Sequence, residues 1–173
     1  AILQAMGAVT NNELSSQYTI RGGNFDENLV YVNDFEIYRP MLIRSGEQEG
    51  LPFPNYDLIQ DIGFSAGGFE AKYGDKLSSV LDIRYKRPRE FESGATMSLL
   101  GASFYMNNAV DSGKGYYLFG TRYKTNRYLL NSLNVKGQYQ PVFIDAQGLF
   151  GWHFNRRHSI EILGNFSYND YTF

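Results

Sequence analysis

The sequence predicts a mixed α+β unit followed by antiparallel strands of the transmembrane β-barrel type, and three observations predict it. Glycine and aromatic residues are both plentiful: 18 glycines and 16% aromatic content among 173 residues, a bias toward turns and strands. The second half is built of segments in which apolar and polar residues alternate with a period of two, separated by short polar turns. The first half has short apolar runs broken by Gly-rich loops, with one stretch that reads as a helix. The change of pattern at Lys86-Arg87-Pro88-Arg89 divides the chain into two domains, residues 1–88 and residues 89–173.

In the first half, residues 18–21 read as a short strand ended by Gly22-Gly23. Residues 29–32 form a second, ended by Asn33-Asp34, with residues 35–38 continuing after the turn. Residues 39–54 form a long polar loop containing Gly46, Gly50, Pro52 and Pro54. Asn55 is placed to cap a helix, with Asp57 in its first turn, Leu58, Ile59 and Ile62 on its apolar side, and Gly63 as its end. Residues 64–66 and 79–85 are further strands.

In the second half, residues 143–154 put Ile144, Ala146, Gly148, Phe150, Trp152 and Phe154 on one face. Residues 159–169 do the same with Ile160, Ile162, Gly164, Phe166 and Tyr168, and the turn between them is Asn155-Arg156-Arg157-His158. At about 9–11 residues each is long enough to cross a bilayer when tilted. Residues 116–124 set Tyr117, Phe119, Thr121 and Tyr123 opposite Arg122 and Lys124. Residues 102–110 group Phe104, Met106 and Val110, and residues 93–99 are a first strand, joined by a tight turn near Leu100-Gly101. Residues 111–115 are a short turn and residues 125–142 a long loop. The apolar faces of these strands carry no charge, and a Lys or Arg at mid-bilayer would cost about 2–4 kcal/mol. Periodicity alone does not separate this pattern from a half-buried soluble sheet with one wet face. The aromatics near strand ends, Phe143, Trp152, Phe154, Tyr168 and Tyr171, favour a membrane girdle.

Composition removes several function classes. The net charge of -2, with basic and acidic residues interspersed, argues against a nucleic-acid partner. With no cysteine there is no disulfide framework, zinc knuckle or thiol nucleophile. His153 and His158 lack a metal-ligand motif, Ser78-Ser79 lacks a nucleophile elbow, and no Gly-rich loop has nucleotide-binding spacing. The sequence therefore implies neither an enzyme nor a cofactor.

One series of motifs points further. Ser16-Gln17-Tyr18-Thr19-Ile20-Arg21-Gly22-Gly23 is followed by Asn28-Leu29-Val30-Tyr31-Val32-Asn33-Asp34. Then comes Gly67-Gly68-Phe69-Glu70-Ala71-Lys72-Tyr73-Gly74-Asp75, running into Leu77-Ser78-Ser79-Val80-Leu81-Asp82-Ile83. In order and spacing this series, over roughly residues 1–88, resembles the plug of TonB-dependent outer-membrane receptors. The wording is closest to receptors of Bacteroidetes-type bacteria outside the SusC subgroup, whose Asn-Pro-Leu run is replaced here by Phe25-Asp26-Glu27-Asn28-Leu29. Two departures stand out. The usual Asp-Gly turn is Asn33-Asp34, and the second plug arginine of an Arg-Gly-Pro step is replaced by Ala66-Gly67-Gly68.

The resemblance implies a plugged barrel of about 22 strands. This chain supplies about five of them, which makes it part of a longer polypeptide or assembly. An open edge in lipid leaves backbone groups unpaired at several kcal/mol each. The resemblance also implies a bacterial outer-membrane location and import of a nutrient, such as a metal chelate or an oligomer, driven by TonB through a segment not among these residues. The implied partners are TonB, outer-membrane lipid, the nutrient ligand, the rest of the barrel and a surface lipoprotein. Arg21 is left as the arginine that would lock the plug to barrel acids. The loop after the outward-aimed turn would contact ligand, through Arg39, Arg44, Glu47 and Glu49 as polar handles and Met41, Leu42 and Phe53 as apolar ones. The charges Asp26, Glu27, Lys72, Asp75, Lys76 and Arg84 fit a wet contact between plug and wall, and equally an ordinary solvated surface. The alternative function is a structural or secretion-linked outer-membrane component that reuses the fold without transport.

Overall fold

Strands account for nearly all the regular structure in the computed structural model, which describes residues 28–38, 44–45, 48–49, 51–68, 70, 72–74, 79–125 and 140–172. Among these residues there are eleven strands, two single turns of 3-10 helix and no α-helix. Over its described residues the first domain is therefore all-β apart from a 3-10 turn, which corrects the expected mixed α+β class. The described residues form a four-stranded, a five-stranded and a two-stranded sheet. The chain divides into two units, one holding 1–54 and 59–85, the other 55–58 and 86–173.

The first unit is organised by a hairpin. β1 (Asn28–Val32) turns through Asn33 and Asp34 into β2 (Phe35–Glu36). Both turn residues have positive φ, 49° and 65°, the conformation a two-residue hairpin of right-twisted strands requires. Asn and Asp tolerate it better than other non-glycine residues. Asn33 is also pinned: its N–H donates to Ile83 O at 2.9 Å and its Oδ1 accepts from Tyr85 N–H at 2.7 Å. β3 (Arg44–Ser45) and β4 (Gln48–Glu49) make a separate short ladder. β5 (Ile59–Ser65) and β6 (Ser79–Tyr85) complete the main sheet in the order β2-β1-β6-β5, with β1 and β6 parallel. β6 is central, so it reads as a nearly continuous buried run rather than an alternating one. The core is Leu29, Val30, Val32, Val80, Leu81, Ile83 and Tyr85, each aliphatic worth roughly 1.5–3 kcal/mol of burial.

The expected helix over 55–62 is a strand for a definable reason. Asn55 does cap a turn: its Oδ1 accepts Asp57 N–H at 3.1 Å. That turn is one 3-10 turn, Tyr56–Leu58, and the chain then extends into β5. A register shift between Ile59 and Asp61 inserts an extra residue against β6. The bulge leaves Ile59 and Ile62, three apart, both half-buried while Gln60 and Asp61 are exposed. That spacing imitates a helix period. Gly63, expected to end the helix, sits in mid-strand opposite Asp82.

In the second unit, β7 (Glu92–Ser98), β8 (Gly101–Val110), β9 (Gly115–Thr125), β10 (Gln140–His153) and β11 (Ser159–Thr172) form an antiparallel up-and-down sheet in chain order. The turns are Leu99-Leu100, the 3-10 turn Asp111–Gly113 and residues 154–158. Glycines on neighbouring strands receive aromatic rings. A Cβ on Gly94 would lie 2.5 Å from the Tyr105 ring, one on Gly151 2.4 Å from the Tyr116 ring, and one on Gly115 2.3 Å from Trp152. Each ring covers backbone that a side chain would otherwise occupy. Gly120 is likewise covered, by Asn55 and Leu58 of the 3-10 turn.

Candidate functional site

The feature that stands out is the contrast between the two faces of the five-stranded sheet. Register fixes which residues share a face. One row runs Phe104, Thr121, Ala146, Phe166, and the next Met106, Phe119, Gly148, Gly164. Outside these lie Asn108, Tyr117, Phe150, Ile162 and then Val110, Gly115, Trp152, Ile160. On the other side lie Ala102, Tyr123, Ile144, Tyr168. Phe104, Phe119, Tyr123, Ile144, Phe150, Ile160, Ile162, Phe166 and Tyr168 are each more than a third exposed. Soluble proteins rarely expose a contiguous apolar patch of this extent. No charged residue lies in these rows; the first is Asp170, opposite Val142 at the far margin. From Trp152 to Val142 is about 34 Å of strand at ~3.4 Å per residue, which a tilt of ~40° reduces to ~26 Å. A transmembrane barrel carries an apolar band of about 25 Å.

The opposite face mixes buried apolar side chains, Leu118, Phe143 and Leu149, with buried polar ones that pair with each other. Arg122, 6% exposed, makes a two-point contact with the fully buried Asp145, Nε to Oδ1 at 2.7 Å and Nη2 to Oδ2 at 2.8 Å. Gln147 Nε2 donates to the same carboxylate at 3.2 Å, and Thr121 Oγ1 donates to the Asp145 carbonyl at 2.9 Å. A charge pair at this depth is stable only because its geometry and extra hydrogen bonds offset the loss of water. Towards one end, the Tyr116 hydroxyl donates to Glu161 Oε1, and Arg87 Nη2 reaches the same oxygen at 3.0 Å. Arg87, Arg89, Ser112, Tyr116 and His153 line a cavity of about 500 Å³ at this end.

The first unit has its own polar cluster. Arg84 holds Asp34 through both nitrogens at 2.5 and 2.7 Å and Asp82 at 3.0 Å. The Asp34 hydrogen bonds, reinforced by Asp82, raise the guanidinium pKa further above its ordinary value. Tyr73 donates to Asp82 Oδ2 at 2.8 Å, packs its ring 5.2 Å from Tyr31, and has Lys72 Nζ 4.6 Å above it. Burial raises both tyrosine pKa values, with Glu36 adding to the effect at Tyr31.

Of the expected ligand contacts, Arg44 lies opposite Glu49 in the β3–β4 ladder, and Phe53 is half-buried. Arg39, Met41, Leu42 and Glu47 lie outside the described residues, as does Arg21. Of the charges expected at a wet contact, Lys72 and Arg84 belong to the tyrosine–aspartate cluster; Asp26, Glu27, Asp75 and Lys76 lie outside the described residues. His153 and His158 flank the 154–158 turn, where His158 Nδ1 is 3.0 Å from Asn155 Oδ1. Among the described residues no group of three metal-ligating side chains forms, and no helix is long and apolar enough to cross a membrane. Sequence reasoning missed the Arg122–Asp145 pair. Its signal was one arginine and one aspartate, each on the polar side of a long alternating strand. No family model matches this chain, and no curated protein matches it.

Proposed function

We propose that this protein acts as a TonB-dependent outer-membrane receptor, binding a nutrient such as a metal chelate or an oligomer at the cell surface and importing it with energy transduced by TonB. The observation that carries the reading is the uncharged face spanning five strands, backed by a face whose buried Arg122–Asp145 pair is mutually satisfied. Hydrocarbon is the solvent in which exposed Phe166, Ile162 and Phe119 cost nothing, and the band has the height of a bilayer core. The motif series over residues 1–88 supports the receptor class specifically. In this reading the sheet meets outer-membrane lipid, and its unshared edges pair with further strands rather than with lipid.

Two experiments test it. Trp152, the only tryptophan, sits in the apolar rows, so its fluorescence in reconstituted bilayers is quenched by lipids brominated on the acyl chain. Absence of quenching removes the membrane reading. In cells, deletion abolishes energy-dependent uptake of at least one member of a labelled panel of ferric chelates, cobalamin and oligosaccharides. Uptake that persists without TonB assigns the protein to a different outer-membrane role.

A further inference from the structure

One end of the five-stranded sheet gathers basic side chains. Register places three segments at one end: residues 87–91 leading into β7, the turn 111–114 and the turn 154–158. They carry Arg87, Arg89, Lys114, Arg156 and Arg157, with His153 and His158 beside them. Most of the acids there are already engaged: Glu161 by Arg87, Asp111 by Lys114, and Glu92 by Lys86. Arg89, Arg156 and Arg157 are exposed and make no ion pair among the described residues; Glu90 is the remaining exposed acid.

The basic end is also structured. Asn155 Oδ1 accepts the N–H groups of Arg157 at 2.8 Å and His158 at 2.9 Å, and Phe154 N–H donates to His158 O at 3.0 Å. The turn is thus closed while Arg156 and Arg157 stay exposed. Phe154 and Phe91 are 67% and 58% exposed, and Trp152 begins the apolar rows immediately inside. Apolar strand, then aromatic side chains, then unpaired guanidinium groups is the order of polarity met on leaving hydrocarbon for the phosphate layer of a bilayer.

We propose that this end binds the phosphate groups of anionic phospholipids through Arg89, Arg156 and Arg157. The proposal rests on the membrane reading above and adds a lipid class to it. A guanidinium pairs a phosphate oxygen at two points, and each basic residue near an anionic surface favours it about fivefold. The single tryptophan lies beside the site and reports the local lipid.

The protein is reconstituted in mixed bilayers of phosphatidylglycerol and phosphatidylcholine, with bromine on the chains of one lipid or the other. Brominated phosphatidylglycerol quenches Trp152 as though several-fold enriched over its bulk fraction, and the excess disappears in high salt. The joint substitution Arg156→Gln and Arg157→Gln brings the quenching by brominated phosphatidylglycerol down close to its bulk fraction. Arg156→Lys with Arg157→Lys retains most of the enrichment, separating charge from a structural role. Equal quenching by the two brominated lipids overturns the proposal while leaving the membrane reading intact. Quenching by neither overturns both. Enrichment abolished by millimolar inorganic phosphate at constant ionic strength assigns the arginines to free phosphate and overturns the lipid assignment.

Discussion

Phe166 and Asn165 are neighbours in β11 on opposite faces, and an arginine at each separates a lipid-facing sheet from a soluble one. Phe166 is 65% exposed, in the row with Ala146 and Thr121 near the middle of the apolar band. If that face meets water, Phe166→Arg is a surface change and alters stability within about 0.5 kcal/mol. If it meets hydrocarbon, an arginine at the midplane costs about 2–4 kcal/mol, roughly 30- to 1,000-fold in the folding equilibrium. Asn165 is exposed on the opposite face, in the row with Gln147. Asn165→Arg adds the same charge and volume one residue away and is expected to stay within about 0.5 kcal/mol in either solvent. The assay is reversible denaturant unfolding in phospholipid vesicles, followed through Trp152. A difference between the variants of at least 2 kcal/mol is expected; equal midpoints would refute the assignment of that face to lipid.

Other predictions follow from individual contacts. Gly151→Ala puts a Cβ 2.4 Å from the Tyr116 ring and forces the hydroxyl away from Glu161; a loss of about 1–3 kcal/mol is expected in the same unfolding assay. Asn33→Gly keeps the positive φ of the hairpin but removes the acceptor of Tyr85 N–H, costing about 1–3 kcal/mol. Asp34→Gly loses an exposed ion pair worth at most about 1 kcal/mol and relieves the backbone, so its midpoint stays close to the parent's. Tyr31 and Tyr73 hold their protons more tightly in the folded state than the ordinary value of 10.0. Their contribution is complete below that pH and is lost as pH rises through the folded values. Unfolding midpoints measured from pH 9 to 11 should therefore fall, and a rise would contradict the assignment.

The longer strands of the second half were legible because their two faces differ in burial. In β10, Phe143, Asp145, Gln147 and Leu149 are buried while Ile144 and Phe150 are exposed, so the side-chain period of two survives in the sequence. That same strand shows where periodicity is mute. It separates the faces without naming the wet one, and here Asp145 and Gln147 are buried together with Phe143 and Leu149. The first half was harder because β6 is buried on both sides and β5 carries a bulge. Neither keeps a clean alternation, and the bulged spacing of Ile59 and Ile62 reads as helix. Asn55 was correctly placed as a cap, yet a cap marks where a turn begins and not how long it lasts. The Arg122–Asp145 pair was only half legible: each residue's face could be assigned, but the pairing depends on a register between β9 and β10 set across a long connection.

That pair also bears on what holds the sheet together. Among the described residues Asp145 is the most deeply buried acid of the sheet. Asp145 is already held by two nitrogens of Arg122 and by Gln147. Capturing it with another arginine would first uncouple Arg122, and stripping one partner from a buried pair costs about 3–5 kcal/mol. The Arg122–Asp145 pair therefore belongs to the stability of the sheet itself. The expected signature is a double-mutant cycle. Arg122→Met and Asp145→Leu each destabilise by about 3–5 kcal/mol, and the double variant falls well short of their sum. Losses that simply add in the double variant would show that the two groups are not coupled and that the sheet does not satisfy its own charge.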